Sequence, residues 1–434
     1  MTQAQRLIEP AGGPIDNVIR PPGSKSLTNR ALIVAAMADG RSKLTGTLDS
    51  DDTQAMVDSL RRLGVDVEHV SGSDQMTIEG TGGRFHPRAS LTIGNSGTSI
   101  RFLTAMLGMA GGQYRLDGVS RMRERPIGPL VDALRQLGVD IETESPRQCP
   151  PVVIKDSPRV AGGSVPLSGD LSSQYLSGLL MAAPMADGPI ELVIEGELIS
   201  KPYVEMTCCV MESFGVQVKR DWGSNRFFVA ADQHYQARDY AIEPDASAAS
   251  YFWATAAILG GTATVAGLNR DALQGDVGFV DCLVKMGCSA EYQDDSIAVT
   301  GPAKSGIKID MSDVSDTVQT LAAVSLFVSG PTTVTNVAHN RVKETDRIGN
   351  LAIELRKFGA VVDEHADGLT IHPPGPNGFQ EATIETYDDH RMAMSLSLVG
   401  LKQAGVEILD PGCVSKTYPN FFRDLDQFVG TNQG

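Results

Sequence analysis

No stretch of this 434-residue chain approaches the run of about 18 apolar residues that crosses a bilayer, which excludes a helical membrane protein. Nor does the N-terminus, MTQAQRLIEPAGG, contain the charged and then apolar segments of a secretion signal, so the chain is expected to stay in the cytoplasm. Its six cysteines form no C-x-x-C pair and have no accompanying histidine spacing. That argues against a zinc site and a disulfide framework, leaving reduced, mostly buried thiols. An excess of positive charge is missing too. Lys and Arg number 37 against 53 Asp and Glu, a formal −16 that disfavours nucleic acid and anionic membrane as partners. In such a chain a local cluster of cations is informative. The length exceeds what one hydrophobic core serves, so two or more domains are expected.

What is present is a repeat. An apolar helix with a Ser-, Asp-, Asn- or Thr-rich start, a glycine or small-residue stop and a short alternating strand recur six times, beginning near Ser24, Asn95, Ser172, Asp245, Asp313 and Asp388. A second helix lies between the copies: LRRLGVDVE (60–68), LRQLGVDIE (134–142), MESFGVQVK (211–219), LVKMGCSAE (283–291) and LRKFGAVVD (355–363). In each, the glycine is placed to leave the helix through a left-handed cap before a strand. The sixth second helix, FFRDLDQFVG (421–430), has no strands after it. The N-terminal segment 6–19 reads as strand, turn, strand with no helix before it, and is expected to supply them. The six units then fall into two domains, 20–240 and 1–19 plus 241–434, joined by two chain crossings, with the active site in the cleft between them.

A scaffold of repeats needs only N-caps at its helix starts. These carry Lys25, Arg30, Arg101, Gln174, Asp316 and Arg391, a different functional group in almost every copy. Residues 24–30, SKSLTNR, crowd polar and cationic groups where unpaired N–H groups and the helix dipole already favour an anion. A nucleotide-binding P-loop needs a Gly-Lys-Ser/Thr order, and here Ser24 stands between Gly23 and Lys25. Further motifs are GNSGTSIR (94–101), RMRERP (121–126), SSQYL (172–176), SKPY (200–203), VSDTVQT (314–320), RVKETDR (341–347), DDHR (388–391) and SKTYP (415–419). Taken singly they are weak: Arg121, Arg123 and Arg125 suit a solvated cationic loop, His390 a packed polar residue, and 341–347 an exposed turn of alternating sign. Together they describe a site for two polyanionic small molecules, with Asp316 and Glu344 as acid and base candidates.

In this order and from end to end, PGSKSLTNRAL, GNSGT, RMRERPIG, SSQYLSGLL, SKPY, RVKETDR, DDHRMAM and KTYP resemble the 5-enolpyruvylshikimate-3-phosphate (EPSP) synthase family. The resemblance implies an α/β (α+β) fold of two domains, each of three βαβαββ units with helices packed inside mixed sheets, an inside-out α/β barrel. It implies transfer of enolpyruvyl from phosphoenolpyruvate to the 5-hydroxyl of shikimate 3-phosphate, in the shikimate pathway to chorismate and aromatic amino acids, by a cytoplasmic, monomeric target of glyphosate. Carried over by position, Ser26, Arg30, Ser172, Ser173, Ser200 and Lys343 hold shikimate 3-phosphate, and Lys25 and Gln174 touch both substrates. Gly97, Arg121, Arg347, Arg391 and Lys416 grip phosphoenolpyruvate. Asp316 accepts the hydroxyl proton, and Glu344 with Lys25 protonates the methylene carbon. No metal or organic cofactor is implied. An asparagine common ahead of the family's RVKETDR loop falls at His339 or Asn340. Ser96, Ser99, Ile100 and Phe102 depart from the frequent Asn-Ala-Gly-Thr-Ala-Met-Arg-Pro. Two rivals are the sister enzyme acting on UDP-N-acetylglucosamine, which pairs its lysine with Asn where this chain has Ser26, and a non-catalytic anion-binding repeat protein.

Overall fold

The structure, a computed structural model, describes residues 4–169, 172–375 and 378–430. It forms two compact units, one contiguous, Gly23–Ile242, and one split, Met1–Pro22 with Glu243–Gly434. Both are mixed α/β structures built from one repeated plan.

In the contiguous unit three helices, Lys25–Met37, Gly97–Ala110 and Ser173–Ala182, are buried along nearly their whole length. Their sequences dictate this: after Arg30 the first carries no charge at all, and a helix that is apolar on every side has no face to give to water. The second helices, such as Asp51–Arg62, are amphipathic, burying Met56, Val57 and Leu60 while Arg61 and Arg62 stay exposed. Around the inner helices lie three four-stranded sheets of identical pattern, a parallel pair followed by two antiparallel neighbours. The glycines expected to end the second helices have φ from +89° to +101° at Gly64, Gly138, Gly215, Gly287 and Gly359, the left-handed region that side chains resist.

The split unit repeats the plan around Ala246–Leu259, Val318–Ser325 and His390–Gly400. Its sixth copy corrects the sequence expectation. Only Gln5–Ile8 completes the last sheet, antiparallel to Val406–Leu409. Ile15–Ile19 instead runs parallel to Gly261–Ala266 in the fourth copy. The Gly12–Gly13–Pro14 turn breaks the ladder between the two strands, freeing them to enter different sheets. The contiguous unit mirrors this: its first sheet takes its parallel strand from Asp239–Ala241, which pairs with Asp39–Thr45.

Five inner helices begin on a capping side chain: Ser24, Ser96, Ser172, Asp245 and Asp389 each accept an N–H of the first turn. The fifth copy differs. A 3-10 run, Ser312–Thr317, broken at Val314, precedes the α-helix, so the expected start near Asp313 gives way to one at Val318.

Candidate functional site

In the contiguous unit the starts of the three inner helices are tied together by side chains. Lys25 Nζ lies 3.3 Å from Asp52 Oδ2, and Ser99 Oγ donates to the Asp52 carbonyl at 3.3 Å. Gln174 Nε2 donates to Thr98 Oγ1 at 3.2 Å, while Arg101 donates to Gln174 Oε1. Ser26 and Gln174 are half-buried, Ser172 is the cap of its helix, Ser173 is buried beside it, and Ser200 is buried with a left-handed φ of +54°. Lys25, Gly97 and Gln174 thus belong to one network of positive helix ends.

Arg30 is 2% exposed, and its guanidinium is spent on the protein itself. Nε donates to Thr207 Oγ1 at 2.7 Å, Nη1 to the Ser26 carbonyl at 2.9 Å, and Nη2 to Ser177 and the Tyr203 carbonyl. Burial lowers its pKa to about 10, so it remains charged. In this state it clamps two inner helices to Lys201–Ser213.

The RMRERP loop divides. Arg121 is one-third exposed and pairs with Glu124 at 2.9 Å, and Arg123 forks onto Asp117 at 2.9 and 2.7 Å. Both fit a solvated loop. Arg125 does not: it is 5% exposed, donates to the Asn95 carbonyl at 3.2 Å, and lies against Gly97, where a Cβ would overlap its guanidinium. The cation nearest Gly97 is therefore Arg125, which sequence reasoning set aside. The neighbouring Pro126 carbonyl accepts Tyr175 Oη at 2.7 Å and Arg101 Nη2 at 3.2 Å, anchoring the loop end inward.

In the split unit a charge cluster centres on Asp316, carried by the 3-10 run. Lys343 Nζ is 2.6 Å, Arg391 Nη2 2.7 Å and Arg347 Nη1 3.3 Å from its carboxylate. Arg347, buried, also forks onto Asp389 at 2.7 and 3.0 Å and reaches Glu344 at 2.9 Å. Arg391 Nη1 lies 3.4 Å from Tyr251 Oη. Three carboxylates thus face three cations, yet Asp316 and Lys343 remain one-fifth exposed. Burial pushes the Asp316 carboxyl up, but Arg391, Lys343 and Arg347 outweigh it and hold it well below the usual range. Lys343 is pushed down, by burial first and then by the two arginines, in spite of Asp316.

His339 Nε2 is 2.9 Å from Ser315 Oγ, and Asn340 donates to the Ser315 carbonyl at 2.9 Å. Burial and Lys343 push the imidazole down to about 3, so it is neutral at physiological pH. Lys416 is buried at the end of the short run Pro411–Lys416. A cavity of about 660 Å³ next to that run is lined by Arg6, Glu9, Ser415 and Phe422 among others, and contains none of the candidate residues. Among the described residues no group of three or more His, Cys, Asp or Glu side chains is placed to hold a metal ion, and no helix is long and apolar enough to cross a membrane.

Comparison with known proteins shows the family to which the chain belongs. The family model described as EPSP synthase (3-phosphoshikimate 1-carboxyvinyltransferase) matches residues 10–425. The chain belongs to the EPSP synthase family. Relatives named 3-phosphoshikimate 1-carboxyvinyltransferase include one from Burkholderia vietnamiensis, 47% identical over 417 residues, covering 93% of this chain and 94% of the relative. The chloroplastic enzyme of Arabidopsis thaliana is 46% identical over 432 residues, covering 96% of this chain and 83% of its own. A solved EPSP synthase from Acinetobacter baumannii superposes with a TM-score of 0.82 at 27% identity, over 98% of both chains. EPSP synthase membership makes this chain an enzyme, a transferase of the 3-phosphoshikimate 1-carboxyvinyltransferase class with the two-domain inside-out α/β fold. Neither the sister-enzyme reading nor the non-catalytic one is favoured.

Proposed function

We propose that this chain joins phosphoenolpyruvate to the 5-hydroxyl of shikimate 3-phosphate through the side chains described above. The observation that carries the assignment of roles is Asp316, a partly exposed carboxylate bounded by Lys343, Arg347 and Arg391. The hydroxyl oxygen attacks C2 of phosphoenolpyruvate and passes its proton to Asp316. Glu344, with Lys25, delivers a proton to the methylene carbon, giving a tetrahedral ketal. Loss of phosphate and of one methyl proton then restores the double bond. Charge on the transferring group is balanced by Lys25, Arg121, Arg347, Arg391 and Lys416, and the contact of Arg125 with Gly97 supports adding Arg125 to them. Ser26, Ser172, Ser173, Gln174, Ser200 and Lys343 are read as the shikimate 3-phosphate side. Arg30 contributes there chiefly by holding the helix that carries Lys25 and Ser26.

With its three cations in place Asp316 is a poor base. Anionic groups of phosphoenolpyruvate that engage Arg347 and Arg391 compete for those cations and raise the carboxylate's proton affinity at the moment a proton must be taken. The residues read as carrying these roles are divided between the two units, Lys25 in Gly23–Ile242 and Asp316, Glu344, Arg347 and Arg391 in the split unit. A cytoplasmic location and a monomeric state belong to the same proposal.

Phosphate release, measured with and without shikimate 3-phosphate, tests the reaction, and Asp316→Asn tests the role. The variant is expected to turn over at least about 10²-fold more slowly while binding shikimate 3-phosphate within about tenfold of the parent. Calorimetry showing affinity lost in proportion to rate would move Asp316 from catalysis to binding.

A further inference from the structure

Glu354, on helix Gly349–Lys357, is a carboxylate with no solvent exposure. A charge this deep needs partners. Tyr387 Oη donates to its Oε1 at 2.7 Å, the Glu385 amide donates to Oε2 at 3.0 Å, and Lys357 Nζ lies 2.6 Å from Oε2. Two of these partners sit on one short segment, 385–388, between strand Ala382–Ile384 and helix His390–Gly400. Its backbone is unusual, since Tyr387 and Asp388 are successive non-glycine residues in the left-handed region, with φ of +55° and +54°. A bulky residue such as tyrosine stays there only where its surroundings hold it.

The residues that follow are Asp389, which takes the Arg347 fork and caps the inner helix, and Arg391, which pairs with Asp316. Segment 347–354 is therefore tied to segment 385–391 at both ends, by Arg347 to Asp389 and by Glu354 to Tyr387 and Glu385. We propose that Glu354 is a positioning residue, whose grip on Tyr387 and the Glu385 amide fixes the double left-handed turn that aims Asp389 at Arg347 and Arg391 at Asp316. The inference rests on the reading of Arg347 and Arg391 as the residues that hold phosphoenolpyruvate. It assigns to Glu354 an effect on one substrate of the two.

Steady-state kinetics with each substrate varied at saturation of the other, together with thermal unfolding, test it on the full-length enzyme and on Glu354→Gln, Tyr387→Phe and Lys357→Met. An amide at 354 cannot accept from both Tyr387 and the Glu385 N–H as two carboxylate oxygens do. Glu354→Gln and Tyr387→Phe are expected to raise KM for phosphoenolpyruvate about tenfold or more while KM for shikimate 3-phosphate stays within about twofold. The double variant should be no worse than the poorer single one, because both break the same tie. Lys357→Met removes a charge partner of Glu354 and a 3.0 Å hydrogen bond to the Thr383 carbonyl, on the strand before the turn, but leaves the ties of Glu354 to Tyr387 and the Glu385 amide in place, so it should lower the melting temperature and leave both KM values unchanged. Glu354→Gln with a lowered melting temperature and unaltered KM values, or with both KM values raised alike, would overturn the proposal. If Glu354→Gln does not fold, Tyr387→Phe decides by the same criterion, since it deletes one hydroxyl from a half-buried side chain. Failure of the unmodified enzyme to release phosphate from the two substrates would instead remove the reading of the site.

Discussion

Asp316 titrates far below an ordinary carboxylate, with two consequences of defined sign. Its folded pKa is depressed, so its ion pairs add stability that is present above its unfolded value of about 3.9 and disappears as pH falls through the lower folded one. In catalysis the same depression should relax when phosphoenolpyruvate engages Arg347 and Arg391. We expect the acid limb of kcat to lie at higher pH than that of kcat/KM, once the substrate phosphates, which titrate near about 6, are allowed for. Coincident limbs would show that the cations keep their hold on Asp316 in the complex. Gly97 gives a second test. A methyl group there meets the Arg125 guanidinium first, so Gly97→Ala should displace Arg125. It should raise KM for phosphoenolpyruvate by several-fold, roughly the loss of one charged contact, and the inhibition constant of glyphosate by more. An unchanged ratio of the two constants would place Gly97 away from the ligand. Much of this site was legible as residue types at helix starts. What was not legible depended on distant partners: Arg30 is buried by Thr207 and Ser177, 177 and 147 residues away, and Arg125 is drawn inward beside Pro126, whose carbonyl Tyr175 holds. No local pattern around an arginine announces such contacts.

Elements were read more securely, because their signals are local. A fully apolar helix must be enclosed, and a glycine at its stop marks the left-handed exit. The fifth inner helix escaped because Asp313 looks like a cap in sequence, whereas the 3-10 run puts Asp316 out among its cations instead of into a helical turn. Close approach of sheet to helix is a further demand that the strand sequences conceal. Gly80, in strand Gln75–Thr81, and Gly301, ending Ser296–Gly301, lie directly on the last carbonyls of the inner helices Lys25–Met37 and Ala246–Leu259, at Ala35, Ala38 and Ala256. Backbone cannot step aside as a side-chain tip can. Gly80→Ala and Gly301→Ala should each destabilise by about 1–3 kcal/mol or more in denaturant titrations. Gly12→Ala, with nothing within 4 Å of its new methyl, should stay within about 0.5 kcal/mol. Equal effects at all three positions would refute the crowding argument.

At the scale of the molecule, charge matching alters the view of a site rich in free cations. Arg121 is paired with Glu124, Arg30 is enclosed, and Asp316, Glu344 and Asp389 balance Lys343, Arg347 and Arg391. Repulsion between cations is therefore weaker than a count of Lys and Arg implies.

The late partners of the two N-terminal strands also set a timetable. Gly23–Ile242 contains every strand of its own three sheets, so it can fold as soon as Asp239–Ala241 has been made. The other unit must wait, because Ile15–Ile19 has no partner until Gly261–Ala266 exists, and Gln5–Ile8 none until Val406–Leu409. At about 5–20 residues per second, synthesis leaves the first strand made without its partner for roughly 20–80 seconds. Until Gly261–Ala266 is made the nascent chain carries two uncommitted strand edges, and from then until Val406–Leu409 is made it carries one, at the stage when a chaperone, or a neighbouring nascent chain, has the best opportunity to claim it.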